Sequence, residues 1–117
     1  MPQITNIVKL AAEKILKKNA IVLGPGVKTG LNIMMDNPGQ LGADQVADAV
    51  AGIAGYPVPL ILIDMGTATT ASVVNSKKQY VGGMILPGVG VSLDALTARA
   101  SQLSGISIDA PRHVIGK

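Results

Sequence analysis

An α/β fold is predicted for this 117-residue chain by three observations. Apolar residues recur at helical spacing over about 5–18, 42–54 and 92–103. Between the second and third of these lie runs rich in isoleucine and valine at 60–64, 70–75 and 79–86. Short turns at Met65-Gly66-Thr67 and Ser76-Lys77-Lys78 separate them, which is the signature of a three-stranded antiparallel meander over about 60–86. The chain is 48% hydrophobic and 15% charged, enough for one compact domain with a core and too apolar for disorder.

Taken in order, the first helix carries Ile7, Val8, Ala11, Ala12, Ile15 and Leu16 on one side and lysines with Glu13 on the other. Thr5 is its expected N-cap, Asn19 suits its C-terminus, and Glu13 and Lys17 are placed for an i,i+4 pair. "AIVLG" at 20–24 reads as a short buried strand, and "GPGVKTG" as a loop. Residues 31–41 read as irregular, with a turn at Asn37-Pro38-Gly39. The second helix is expected to bury Ala43, Val46, Ala47, Val50 and Ile53, leaving Asp44 and Asp48 one turn apart on another face. "GYPVP" ends it, and an internal lobe boundary is expected between Gly55 and Pro59. After the meander, "LPGVGV" breaks the pattern and Ser92 is the expected cap of a helix turning Leu93, Leu96, Ala100 and Leu103 toward the core, with Gly105 ending it. The tail "ISIDAPRHVIGK" begins like a strand and stops short of a complete element, as in a chain that has been cut.

Composition excludes several function classes. Phe and Trp are absent and Tyr56 and Tyr80 are the only aromatics, so the core is aliphatic. With no cysteine there are no disulfides or thiolate metal sites, and His113 alone cannot supply a histidine zinc site. The amphipathic N-terminus is unlike a signal peptide and no apolar run has the length of a membrane span, so a cytoplasmic protein is expected. The net charge of +3 comes from Lys9, Lys14, Lys17 and Lys18 on one helix and Lys77 and Lys78 in a turn. No aromatics are interleaved, and only Arg99 and Arg112 offer bidentate contacts, so solvated surface explains the charge better than nucleic acid does.

Three glycine-rich loops are candidates for phosphate. "GPGVKTG" has Val27 where a P-loop needs glycine before its lysine, which favours a structural turn. "PGVGVSL" has Leu93 in place of the third glycine of a dinucleotide fingerprint, and the strands before it are antiparallel, which argues against NAD. "DMGTATT" combines a turn exposing amide groups, the hydroxyls of Thr67, Thr69 and Thr70, and the carboxylate of Asp64. A charge at the end of a buried strand needs compensation. Either Asp64 bonds the turn amides, or it holds a cation beside a phosphate; the motif by itself supports both equally. Asp44 lies in the first turn of the second helix, where the dipole favours the ionised form. Such an aspartate most often caps, and it can also take a proton from a substrate hydroxyl. Asp48 and Asp94 read as helix-surface acids, and Arg99, His113, Met34 and Met35 carry no functional signal of their own.

As a set, "GPGVKTGL", "DNPGQLGADQVADAVAG", "YPVPLILIDMGTATT", "YVGGMILPGVGVSLDAL" and "APRHVIGK" resemble the type III pantothenate kinases, which phosphorylate pantothenate with ATP in the first step of coenzyme A biosynthesis. The resemblance spans nearly the whole chain after residue 20. It implies the two-lobed actin, sugar-kinase and heat-shock-ATPase (ribonuclease H-like) fold, with 1–57 the C-terminal portion of lobe one and 58–117 the N-terminal portion of lobe two. It implies Asp44 as acceptor of the substrate hydroxyl proton, with Gly42, Ala43, Gln45 and Met35 at the pantothenate site. Asp64 would hold a monovalent cation, K⁺ or NH₄⁺. Gly66 and Thr67 would contact ATP and its Mg²⁺, with Gly82, Gly83, Pro87 and Gly88 in the glycine-rich segment near the substrates. A homodimer is implied, with no nucleic-acid or membrane partner.

The chain departs from that family's pattern in three ways. No Asp-x-Gly-Asn-Thr phosphate loop precedes the first helix, and the part that completes the second lobe is absent, so a fragment inactive by itself is expected. The arginine that follows the catalytic aspartate is Gln45, and the tyrosine one place before "DNP" is Met35. Loss of a guanidinium facing the substrate carboxylate costs on the order of a few kcal/mol of binding. The alternative reading is therefore a catalytically degenerate paralogue with a binding or regulatory role; a third is a free-standing structural domain.

Overall fold

The computed structural model describes residues 2–24, 27–100, 102 and 106–115. Among them are helix α1 (Pro2–Leu16), strand β1 (Asn32–Ile33), a 3₁₀ turn (Pro38–Gln40), helix α2 (Ala43–Gly55), strands β2 (Leu60–Met65), β3 (Ala68–Val74) and β4 (Gln79–Pro87), and helix α3 (Val89–Arg99). The strands form one mixed sheet in the order β1-β4-β3-β2. The expected meander is present: β2 and β3 are antiparallel, as are β3 and β4, while β1 adds to β4 in parallel.

One face of the sheet packs on α2. Leu60 and Leu62 of β2, Ser72 and Val74 of β3 and Tyr80 of β4 turn inward, and Ala49, Val74 and Tyr80 are fully buried. The helix buries the expected face only in part: Val46, Val50 and Ile53 are half-buried, and Ile53 packs against the core. Ala43 and Ala47 are exposed, whereas the small residues Ala49 and Gly52 are buried. Proximity explains this: a Cβ on Gly52 would stand 2.6 Å from Leu62 Cδ2, so a larger residue there would have to displace the Leu62 side chain for α2 to lie this close to β2. Tyr80 Oη donates to Ser72 Oγ at 3.0 Å, satisfying the buried polar pair in the core. The opposite face carries Ile61 and Ile63 of β2 and Met84 of β4, each at least 60% exposed.

The turn between β3 and β4 is built by Asn75, whose Oδ1 accepts the N–H groups of Lys77 (2.9 Å) and Gln79 (3.0 Å). Lys78 takes the left-handed conformation at φ 59°. Gly82, at φ 144°, absorbs the irregularity where the β3–β4 register shifts between Val73 and Val74.

Several sequence expectations are corrected. Thr5 lies inside α1, and Asn19 lies beyond its end, because the helix stops at Leu16 and Lys17 turns left-handed at φ 53°. Glu13 pairs with Lys9 (3.9 Å) instead of Lys17, and its Oε1 also accepts the Ala20 N–H at 3.0 Å. Residues 20–24 form no strand: no neighbouring strand reaches them, and Ile21 is 87% exposed. Ile4, Val8 and Ala12 instead line a groove with Ala20, Ile21 and Val22, and Ile7, Ile15 and Leu16 are exposed. Residues 31–41 contain β1 and the 3₁₀ turn, because Met34 N–H donates to Tyr80 O at 2.8 Å and ties the segment to β4. Ser92 is not the cap of α3. Gly88 holds that position, extended at φ −65° and ψ 164°, and its carbonyl accepts the Ser92 N–H at 2.9 Å. The helix ends at Arg99, and Leu96 is exposed. The expectations for Leu103 and Gly105, and the Pro25-Gly26 centre of the first glycine loop, lie outside the described residues. Residues 106–115 form no helix or strand.

Candidate active site

The hairpin between β2 and β3 turns at Gly66 and Thr67, where the Gly66 N–H donates to Ala68 O at 3.0 Å. Its outer side is fastened to α3, since Gly88 N–H donates to Thr67 O at 3.0 Å. A Cβ on Gly88 would collide with the carbonyl oxygens of both Gly66 and Thr67, so this contact requires glycine. No side chain caps α3, and its first turn has no acidic residue. The amides of its first turn therefore open beside the threonine turn, a combination that favours an anion. Thr67 is exposed there, and Thr69 and Thr70 are half-buried.

Asp64, the last residue but one of β2, lies directly opposite Thr70. It is exposed, which corrects the expectation of a charge forced into a buried strand end: the apolar run alternates, and its last residues emerge from under α2. Among the described residues no lysine or arginine lies within ion-pair distance of Asp64. Asp64 lines a cleft of about 310 Å³ together with Asp48, Gly52, Tyr56 and Leu62. Asp48 is thus half-buried and faces the site, although the sequence reads it as a surface acid. The available signal was its spacing of one turn from Asp44. Two carboxylates on one cleft suit a weakly held cation. The described residues contain no group of three acidic, histidine or cysteine ligands, so a caged divalent ion does not fit.

Asp44 occupies the second position of α2, and Gly42 is the residue before that helix. Its carboxylate folds back over Gly42, so that a methyl group there would strike Asp44 Oδ1. Gln45 also turns back, its Oε1 accepting the Gly42 N–H at 3.4 Å. Ala43 and Val46, on the next face, wall an apolar cavity of about 340 Å³ against Leu23, Ile33 and Leu41. Met35 packs against the core of Ala49, Val74 and Tyr80. Asp44, Gly42, Ala43 and Gln45 are therefore gathered at one helix end, and Gly66, Thr67 and Gly88 at one turn. Gly82 and Gly83 are not gathered with the latter. They sit in mid-strand, where Gly83 passes close to Ala71 O and lies 3.2 Å, at its absent Cβ, from Tyr80 Oη.

A mixed sheet bearing a threonine turn docked on a helix N-terminus, with carboxylates lining a neighbouring cleft, makes this an α/β protein whose turn and helix start offer hydrogen-bond donors to an anion. The relationships of the sequence narrow this class. The chain belongs to the type III pantothenate kinase family, whose model matches residues 1–117. It is 46% identical over 117 residues to the type III pantothenate kinase of Bacillus cytotoxicus (strain DSM 22905 / CIP 110041 / 391-98 / NVH 391-98). That match covers all of this chain and 45% of the relative, so the chain spans slightly under half of the relative's length. No helix among the described residues is long and apolar enough to cross a membrane.

Proposed function

We propose that the protein phosphorylates the primary hydroxyl of pantothenate with ATP, giving 4′-phosphopantothenate for coenzyme A biosynthesis. Family membership together with the placement of Asp44 carries this reading: the aspartate stands at a helix N-terminus, beside a cavity and one turn from the Asp48–Asp64 cleft. Asp44 accepts hydrogen from the hydroxyl and orients its oxygen. That oxygen attacks the γ-phosphorus, the bond to the β–γ bridging oxygen breaks, ADP leaves, and the proton passes to the Asp44 carboxylate. Because charge builds mainly on the transferred phosphoryl group, alignment and neutralisation matter more than a strong base.

Thr67, the Gly66 turn and the amides after Gly88 hold phosphate oxygens. Gly82 and Gly83 act on that site through β4, which leads into Gly88. Asp64, aided by Asp48, would hold K⁺ or NH₄⁺, which would lower the repulsion between phosphate and carboxylates, and the nucleotide would carry its own Mg²⁺. Gly42, Ala43, Gln45 and Met35 shape the pantothenate end. Residues 1–57 and 58–117 belong to two lobes, and the protein works as a cytoplasmic homodimer. An assay coupling ADP release to a visible readout, run on the full-length protein with ATP, Mg²⁺, K⁺ and pantothenate, tests the reading. Turnover that disappears in Asp44→Asn is expected; a folded protein with no pantothenate-dependent ADP release refutes it.

A further inference from the structure

Tyr80 stands where three parts of the site meet. Its ring is fully buried with Ala49 of α2 and Val74 of β3, and Leu31, Met35 and Leu41 pack against that cluster. Its carbonyl accepts the Met34 N–H at 2.8 Å, beside the β1–β4 pairs Asn32–Gln79 and Ile33–Tyr80. The segment 31–41 is thus held twice, by the main chain of Tyr80 at Met34 and through the core at Met35 and Leu41. It runs into Gly42 and the first turn of α2, where Asp44 lies.

Tyr80 is itself fixed from the other side. Its hydroxyl donates to the buried Ser72 Oγ at 3.0 Å, and the preceding Gln79 is pinned by Asn75, whose Oδ1 accepts the Gln79 N–H and whose N–H donates to the Gln79 carbonyl. Strand β1 is two residues long and holds weakly by itself, so the place of 31–41 follows β4. A packed interior passes a displacement on to its neighbours. The phosphate turn is remote from this junction: at about 3.3 Å of rise per residue, β4 sets Tyr80 roughly 20–25 Å from Gly88.

We infer that Tyr80 is a positioning residue for the pantothenate end of the site: it sets the place of segment 31–41 and of the Asp44 end of α2 without touching the substrate. The inference rests on the reading that Asp44 meets the pantothenate hydroxyl and Met35 shapes the same end.

Steady-state kinetics of the full-length protein, with pantothenate and ATP varied in turn, test this on three variants. Met34→Pro removes the donated N–H at an exposed position and is expected to raise the KM for pantothenate about tenfold, with the KM for ATP held within about twofold. Met34→Ala keeps the N–H and is expected to behave as the unaltered protein. Tyr80→Phe keeps the ring, frees it from Ser72, and is expected to raise the same KM about threefold. Hydrogen exchange of Met34→Pro, or of Tyr80→Phe where the proline variant does not fold, should quicken at 35–46 and stay unchanged at Gly88. A residue serving stability alone would lower kcat with the active fraction and leave both KM values in place. That result, an equal rise in both KM values, or unchanged exchange at 35–46 overturns the inference. Should Met34→Pro not fold, the KM split in Tyr80→Phe decides by itself. If the unaltered protein releases no ADP, the kinase reading falls, while faster exchange at 35–46 upholds the link, so the two fail separately.

Discussion

The Gly88 N–H bonds the carbonyl of Thr67 at 3.0 Å, and this bond, next to the Ala68–Pro87 pairing of β3 and β4, holds the β2–β3 turn against the start of α3. Neither partner uses its side chain. The geometry depends on the missing Cβ of Gly88, since a methyl there would run into two carbonyl oxygens that have no room to retreat.

Replacing Gly88 with alanine is therefore expected to destabilise the protein by about 2–4 kcal/mol and to raise the KM for ATP. Gly90 supplies the control. Its Cβ would meet nothing within 4 Å, so Gly90→Ala is expected to be neutral or to stabilise α3 by up to about 1 kcal/mol. Urea denaturation of the two variants, with ATP kinetics alongside, checks the contrast.

The carboxylates separate by role. Asp44→Asn is expected to lower kcat by about 10²- to 10⁴-fold with little change in the KM for ATP. Asp64→Asn is expected to raise the K⁺ concentration for half-maximal rate, and Asp48→Asn to do so more weakly. A K⁺ titration of all three variants distinguishes them; an unchanged K⁺ response in Asp64→Asn removes the cation assignment.

In the core, Tyr80→Phe deletes the donor to Ser72 Oγ and leaves a buried hydroxyl unpaired. A loss of about 1–2 kcal/mol is expected. The double variant Tyr80→Phe, Ser72→Ala should recover part of it, because no buried polar atom is then left without a partner. Chemical denaturation of the three proteins completes the cycle.

Ile61 and Ile63 of the outer sheet face lie on β2, the edge strand of the sheet among the described residues. The isolated 117-residue chain is expected to self-associate through that face and edge. Ile61→Lys with Ile63→Lys should lower the apparent mass in light scattering at equal concentration; no change would locate the association elsewhere.

Much of this architecture follows from local pattern. The apolar run "LILI", the turn at Ser76-Lys77-Lys78 and the i,i+3/i+4 spacing in α2 each declare an element within a few residues, because composition and the period of apolar side chains are local properties. The strand at 20–24 failed for the complementary reason. An apolar run becomes a strand only where a neighbour offers hydrogen bonds, and the Ala20 N–H found Glu13 instead. The segment at 31–41 shows the reverse case, since β1 exists only because β4 lies beside it.

By itself the sequence determined the α/β class, the order of the meander, the family and the candidate pair Asp44 and Asp64, since periodicity, turn chemistry and motif order are all written along the chain. Tertiary structure alone decided which atoms meet. It brought Asp48 to the cleft of Asp64, made Gly88 the seat of the Thr67 turn, and turned Gln45 onto Gly42 and Met35 into the core. These relationships join residues through distances of a few ångströms set by packing, and the space that a side chain finds depends on elements far from it in sequence.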